Sequence, residues 1–234
     1  MFALHPPRGT AKTLRVLAAL LGYPDARLRG HLAEMRDLLR DERALAPSRL
    51  SELDLLMDML GRADPLEAEA AYVELFDRGR ATSLHLFEHV HGESRDRGPA
   101  MIDLGQTYEK AGLVLAEGEL PDYLPAVLEF VSTQPPREAR AFLAEMAHIF
   151  NAIFGALQQR ESAYASVLGA LIELAGEQAQ PVKPAAEEPL DESWAEPVVF
   201  DGCSTQGQSR PGQAQPIHVV RKNASNNPPS GARA

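Results

Sequence analysis

The chain has 234 residues, 44% of them hydrophobic and 24% charged, the composition of an ordinary globular protein able to bury a core. Its formal net charge of −10 speaks against a nucleic-acid binder, because neutralising phosphates takes clustered Lys and Arg that carboxylates do not outnumber. A single cysteine, Cys203, excludes an intrachain disulfide and any thiolate-only zinc or iron–sulfur site built from this chain.

The longest apolar run near the N-terminus, residues 16–21, is far short of the roughly 20 residues a spanning helix needs, so a cytoplasmic location without membrane insertion is expected. Leu14, Leu17, Leu20 and Leu21 recur at helical spacing until Gly22 and Pro24 stop them. Asp25 is placed to cap a second helix with Leu28, Leu32, Met35, Leu38 and Leu39 on its apolar face, ending before Pro47. Pro47 or Ser48 opens a third, which carries Leu50, Leu53, Leu56, Met57 and Leu60 and closes at Gly61. Asp64 and Pro65 open a fourth, with Leu66, Ala70, Val73 and Phe76 as its stripe, and Gly79 breaks the pattern that follows.

Thr82 or Ser83 is expected to cap a short helix that runs through Val90 to Gly92, and Ser94 to start another through Lys110 with Met101, Leu104 and Tyr108 inward. Residues 117–123 read as a hinge loop by their Gly and Pro content, after which Tyr123, Leu124, Val127, Leu128 and Val131 resume the helical period. Phe142, Met146, Ile149, Phe150, Ile153 and Leu157 predict one long helix, and a last one runs from Ser162 to Gly176. Sustained period-two alternation is missing, so the expected fold is all-α: one helical-bundle domain of roughly eight helices over residues 1–177. Eight of the eighteen prolines lie beyond Gln180, which predicts a flexible, largely disordered tail over 178–234, with 194–200 (WAEPVVF) as a docking segment.

The chemistry concentrates in residues 84–104, LHLFEHVHGESRDRGPAMIDL. His85, Glu88 and His89 fit the H-x-x-E-H pattern of inverted zinc proteases, in which two histidines four apart hold zinc and the glutamate activates water. The pattern specifies three positions in five and nothing downstream singles out a third ligand, so these side chains read as capping and helix–helix hydrogen-bonding groups ahead of a zinc site. Arg95 and Arg97 stand on a helix start with Ser94 and Asp96, and in that place they either sit in an alternating charged surface or form bidentate contacts to a carboxylate or phosphate.

Three runs carry a resemblance: YVELFD at 72–77, SLHLFEHVHGESRDRGPAM at 83–101 and ELPDYLP at 119–125, joined by WAEPV at 194–198. In these the chain resembles the assembly chaperones of respiratory nitrate reductase, the delta-subunit or NarJ type, within the wider group of molybdenum oxidoreductase maturation chaperones. The resemblance implies an all-helical protein that is not an enzyme and holds no cofactor stably. It implies that such a protein binds the N-terminal segment of the catalytic (alpha) subunit, supports insertion of molybdopterin guanine dinucleotide into that client, and delays membrane docking until the client is complete. Cofactor biosynthesis proteins are further expected partners. In the wider group the proline–aspartate loop, here Pro121 and Asp122, is the hinge and is linked to client binding; other branches commonly carry histidine next, where this chain has Tyr123.

An amphipathic client helix in an apolar groove suits this picture. The expected groove is lined by Phe87, Val90, Met101, Tyr108, Tyr123 and Leu124, with Glu88, Glu93, Arg95 and Arg97 as its rim. His89, His91, Glu119, Pro121 and Asp122 complete the expected client-binding set.

Overall fold

In the computed structural model, which describes residues 9–91 and 94–179, α1 runs Ala11–Leu21 and is buried over most of its surface, with Leu14, Leu17, Leu20 and Leu21 fully enclosed. Ala11, Lys12 and Arg15 form one exposed stripe of the helix, and its remaining wide apolar face turns to the core. Its free N-terminal amides are met from elsewhere in the chain: the Glu42 carboxylate accepts from the main-chain N–H of Lys12 at 3.1 Å and of Thr13 at 2.6 Å. Gly22 turns extended and ends the helix, as its sequence predicts.

The expected second helix is two: α2 (Ala26–Gly30) and α3 (Leu32–Glu42). Asp25 does cap, accepting from the Leu28 N–H at 2.8 Å. The break follows from Gly30 and His31. Gly has the weakest helix propensity short of proline, and the His31 ring takes the Arg27 carbonyl while its N–H turns to Leu28.

α4 (Pro47–Arg62) and α5 (Pro65–Tyr72) start at their prolines, the Asp64 carboxylate capping α5 through Leu66 and Glu67. The stripe of α5 departs from expectation. Phe76 is buried and Val73 half-buried as expected, but Leu66 is 76% exposed and Ala70 is exposed, and Ala68 and Tyr72 are buried in their place. Beyond Tyr72 the helix widens into a π turn, Val73–Asp77, closed by the Arg78 N–H on the Val73 carbonyl, and a 3₁₀ turn follows at Arg80–Thr82.

Then come α6 (Leu86–Val90), α7 (Arg97–Lys110) and α8 (Leu124–Ser132). The expected long helix is again two, α9 (Pro136–Glu145) and α10 (Ala147–Gln159), bent by 61° at Met146. The His148 ring occupies the Glu145 carbonyl at 3.1 Å, and Ile149 pairs tightly back to Met146, so the regular ladder stops there. α11 (Ala165–Ala175) ends at Gly176, whose φ of 82° is left-handed, the common helix stop.

The architecture is all-α, with α1 packed on α8, and α11 on α4, α9 and α10. Val167, Leu168, Ala170 and Leu171 of α11 meet Phe150 and Ile153 of α10 in the fully buried centre, each large side chain contributing about 2 kcal/mol of apolar burial. Among the described residues no single helix is long and apolar enough to cross a membrane; α9 and α10 qualify only as a bent pair. The expectations for Gly92, Glu93, Cys203 and the 194–200 segment lie outside the described residues.

Candidate binding site around Asp122

Asp122 has no solvent exposure, which a carboxylate tolerates only where donors surround it. Its Oδ2 accepts from the Phe87 N–H at 3.1 Å, its Oδ1 lies 3.3 Å from His85 Nδ1, and Arg97 Nη2 stands 3.8 Å away. The main chain joins in: the Asp122 carbonyl accepts from Leu86 N–H at 3.0 Å, and the Leu84 carbonyl from Leu124 N–H at 2.8 Å, an antiparallel bridge between His85 and Tyr123. So α6 is capped from the hinge loop, 35 residues on, rather than by Thr82 or Ser83 as local sequence predicts. Ser83 instead accepts from the His85 N–H, and its carbonyl holds His89 Nε2 at 2.9 Å.

Arg97 is the first residue of α7 and bridges Glu88, at 3.5 Å, to Asp122. The Tyr108 hydroxyl, at the far end of α7, donates to the Pro121 carbonyl at 2.8 Å. The loop is thereby gripped from both sides. The hydrogen bond to Asp122 is the main influence raising the His85 pKa above its ordinary 6.5, with burial opposing it, and with Glu88 raising and Arg97 lowering it further. A raised folded-state value means that this link stabilises fully below pH 6.5 and fades as pH rises through the folded-state pKa. The expected result is that the Tm difference between the native protein and His85→Ala shrinks from roughly pH 5.5 to roughly pH 8.5, read by circular dichroism.

Beside this latch opens a cleft of about 450 Å³. Its walls are Tyr23, Tyr72, Phe76 and Tyr123, with His85 behind and Asp77 and Glu119 at the mouth. The Tyr72 hydroxyl donates to the Leu21 carbonyl at 2.7 Å and lies 3.3 Å from that of Tyr123, so the second bond takes its proton from Tyr123. Tyr23 packs edge-on against Tyr72 at 5.6 Å, Phe76 tilts onto Tyr72 at 4.8 Å, and the His85 and Tyr123 rings lie 5.4 Å apart.

Of the residues singled out by sequence, Glu88, Arg97, Pro121, Asp122, Tyr123 and His89 come together around the latch. Phe87 of α6 and His91, just past its end, stack edge-to-face at 5.3 Å, Glu119 is exposed at the cleft mouth, and Arg95 is exposed before α7. Met101 is half-buried, and Val90 and Ile102 are exposed beside it in the chain order of α6 and α7. Tyr108 and Leu124 are core rather than groove: both are buried, one against Phe130 and one at the start of α8. The zinc arrangement is not formed, because His85 and His89 turn to Asp122 and to the Ser83 carbonyl, and among the described residues no three His, Cys, Asp or Glu side chains converge. Sequence reasoning missed Tyr23, Tyr72, Phe76 and Asp77 as cleft residues, although the distinctive run 72–77 already contained three of them.

A family model described as the nitrate reductase delta subunit matches residues 26–169. The chain is 48% identical, over 162 residues and 69% of either chain, to the nitrate reductase molybdenum cofactor assembly chaperone NarJ of Escherichia coli K12. It is 30% identical over 161 residues to a second protein bearing the NarJ name, from Bacillus subtilis strain 168, covering 68% of this chain and 86% of that one. A crystal structure from Archaeoglobus fulgidus, described as a candidate redox enzyme maturation protein, superposes with a TM-score of 0.51 over 76% of this chain and 100% of the other; at 19% identity this is a likeness of fold.

Proposed function

The chain belongs to the nitrate reductase delta subunit family, and on that premise we propose that it is an assembly chaperone that binds the apo catalytic subunit of nitrate reductase through that subunit's N-terminal segment. It works by binding and catalyses nothing itself. Holding the client open supports insertion of molybdopterin guanine dinucleotide, and release follows before the client docks on the membrane. The observation that carries this reading is the 48% identity over 162 residues to a chaperone of that name, together with the family model's match to residues 26–169, the stretch that holds the latch.

The geometry supplies a means. A binding site must be open yet held in shape, and here the hinge loop is fixed at Asp122 and Pro121 while Glu119 and Leu120 stay exposed at the cleft. Val90, Ile102 and Leu120 each expose apolar surface, which an amphipathic client helix would remove from water wherever it covers them. With a net charge of −10, a basic client segment is favoured and its affinity falls as salt rises.

Deleting the chaperone leaves the catalytic subunit present but poorly loaded with cofactor and inactive; full nitrate reductase activity with normal cofactor content in the deletion strain refutes the reading. In calorimetric titrations with the client's N-terminal peptide, Glu88→Ala weakens binding by about tenfold, a loss of about 1.4 kcal/mol, with the helical signal unchanged.

A further inference from the structure

The cleft has a chemical character that an apolar groove does not require. Tyr23, 47% exposed, and half-buried Tyr123 present aromatic surface on either side of buried Tyr72. Asp77 and Glu119 are both exposed at the mouth, and the Glu69 carboxylate accepts from the Tyr23 hydroxyl at 3.0 Å. Among the described residues no lysine or arginine lines this cleft; Arg78 and Arg80 border Asp77 only in the neighbouring pocket, where Arg78 pairs with Glu74 at 2.9 Å. The two carboxylates therefore have no lysine or arginine within the cleft, and the one ring there that can carry charge, His85, is turned to Asp122.

Asp77 also bears on the tyrosine hydroxyls, as the smaller part of their shifts. Tyr23 is pushed up first by its hydrogen bond to Glu69, Tyr72 and Tyr123 first by burial, and the Asp77 charge adds to the rise at all three. One carboxylate thus acts on every tyrosine of the cleft. Its place depends on the π turn, whose extra residue keeps Phe76 inward while Asp77 stays at the mouth. Such widened turns recur at functional positions because an α-helix with one residue fewer is the easier structure.

We propose that this cleft seats one cationic side chain, an arginine or lysine carried by the client's N-terminal segment, with its charge against the rings of Tyr23 and Tyr123 and between the carboxylates of Asp77 and Glu119. The inference rests on the chaperone reading and names the anchor of the client. A cation over tyrosine faces is attracted by the ring quadrupoles, and more strongly as water is displaced. An apolar side chain in the same space would strip water from two carboxylates and give them no partner. The cleft's volume also suits one long side chain rather than a helix.

The test uses the full 234-residue chain and a synthetic peptide of the client's N-terminal segment in which each arginine is replaced in turn by citrulline and each lysine by acetyl-lysine. Affinities are read by calorimetry for the native chaperone and for Asp77→Asn and Tyr23→Leu, with circular dichroism confirming that each variant is folded. One peptide position loses about tenfold or more on neutralisation, and Asp77→Asn loses about as much with the native peptide. Combining the two then costs far less than the product of the single losses, the mark of a direct pair. If every neutralised peptide binds within twofold of the native one, or if the losses multiply independently of Asp77, the seat is refuted while the chaperone reading stands. If the native peptide does not bind the native protein, both fall together.

Discussion

Asp122→Ala lowers the unfolding free energy by about 3 kcal/mol, and Asp122→Asn by about half as much, in urea titrations followed by circular dichroism. The alanine leaves the Phe87 N–H without its acceptor at the first turn of α6, in a place water does not reach, and removes the partner that holds His85. The asparagine keeps an oxygen for Phe87 but gives up the charge that faces His85 and, at 3.8 Å, Arg97. Main-chain bonds from Leu86 to the Asp122 carbonyl survive in both variants, so the loop loosens without detaching. Client affinity follows stability here, because the cleft wall formed by Tyr123 is anchored one residue along. Equal losses for the two variants would mean that charge plays no part in the latch, and losses below about 0.5 kcal/mol would mean that the loop is held by Tyr108 and the main chain alone.

The contrast between Asp25 and Asp122 shows what was legible in the sequence. Asp25 and Asp64 cap helices that begin at the next residue, so a local pattern announces them. Asp122 caps α6 from the opposite side of a loop, and no window of sequence contains both partners. The same limit explains the two divided helices. Apolar positions run in phase across Gly30 and across Met146, while the side chains that break the ladder, His31 and His148, are polar residues that periodicity ignores. The family resemblance located the loop and α6, whereas the aromatic wall depends on Tyr23 from the α1–α2 connection meeting Tyr72 across 49 positions, a contact only the packing creates. Tyr108 and Leu124, expected in the groove, are buried for the converse reason: an apolar residue beside polar ones reads the same in a groove and in a core until burial separates them.

Gly79→Ala costs about 2–3 kcal/mol and Gly79→Val more, the largest effect expected of any glycine near the cleft. The backbone there is not the reason, since φ of −96° and ψ of 100° suit any residue. Space is the reason. A Cβ at Gly79 would stand 2.7 Å from the Leu75 carbonyl and 3.0 Å from Arg160 Nη1, and would collide with the Thr82 hydroxyl. That hydroxyl, fully buried, donates to the Leu75 carbonyl, a group of the π turn that a regular helix would have satisfied with the Gly79 N–H. Alanine therefore pushes apart the bond that keeps the turn wide, and the turn's last two residues, Phe76 and Asp77, are cleft residues. The loss of stability brings with it a loss of client affinity that Thr82→Val reproduces, because valine fills the space of threonine without the hydroxyl. Gly105→Ala is the matched control: its Cβ meets nothing within 4 Å in the middle of α7, and the change stabilises by about 0.5–1 kcal/mol. Gly79→Ala with native stability and native client affinity would show that the π turn is set by α5 and the core alone, and Asp77 would then owe its place at the cleft mouth to something other than the Thr82 bond.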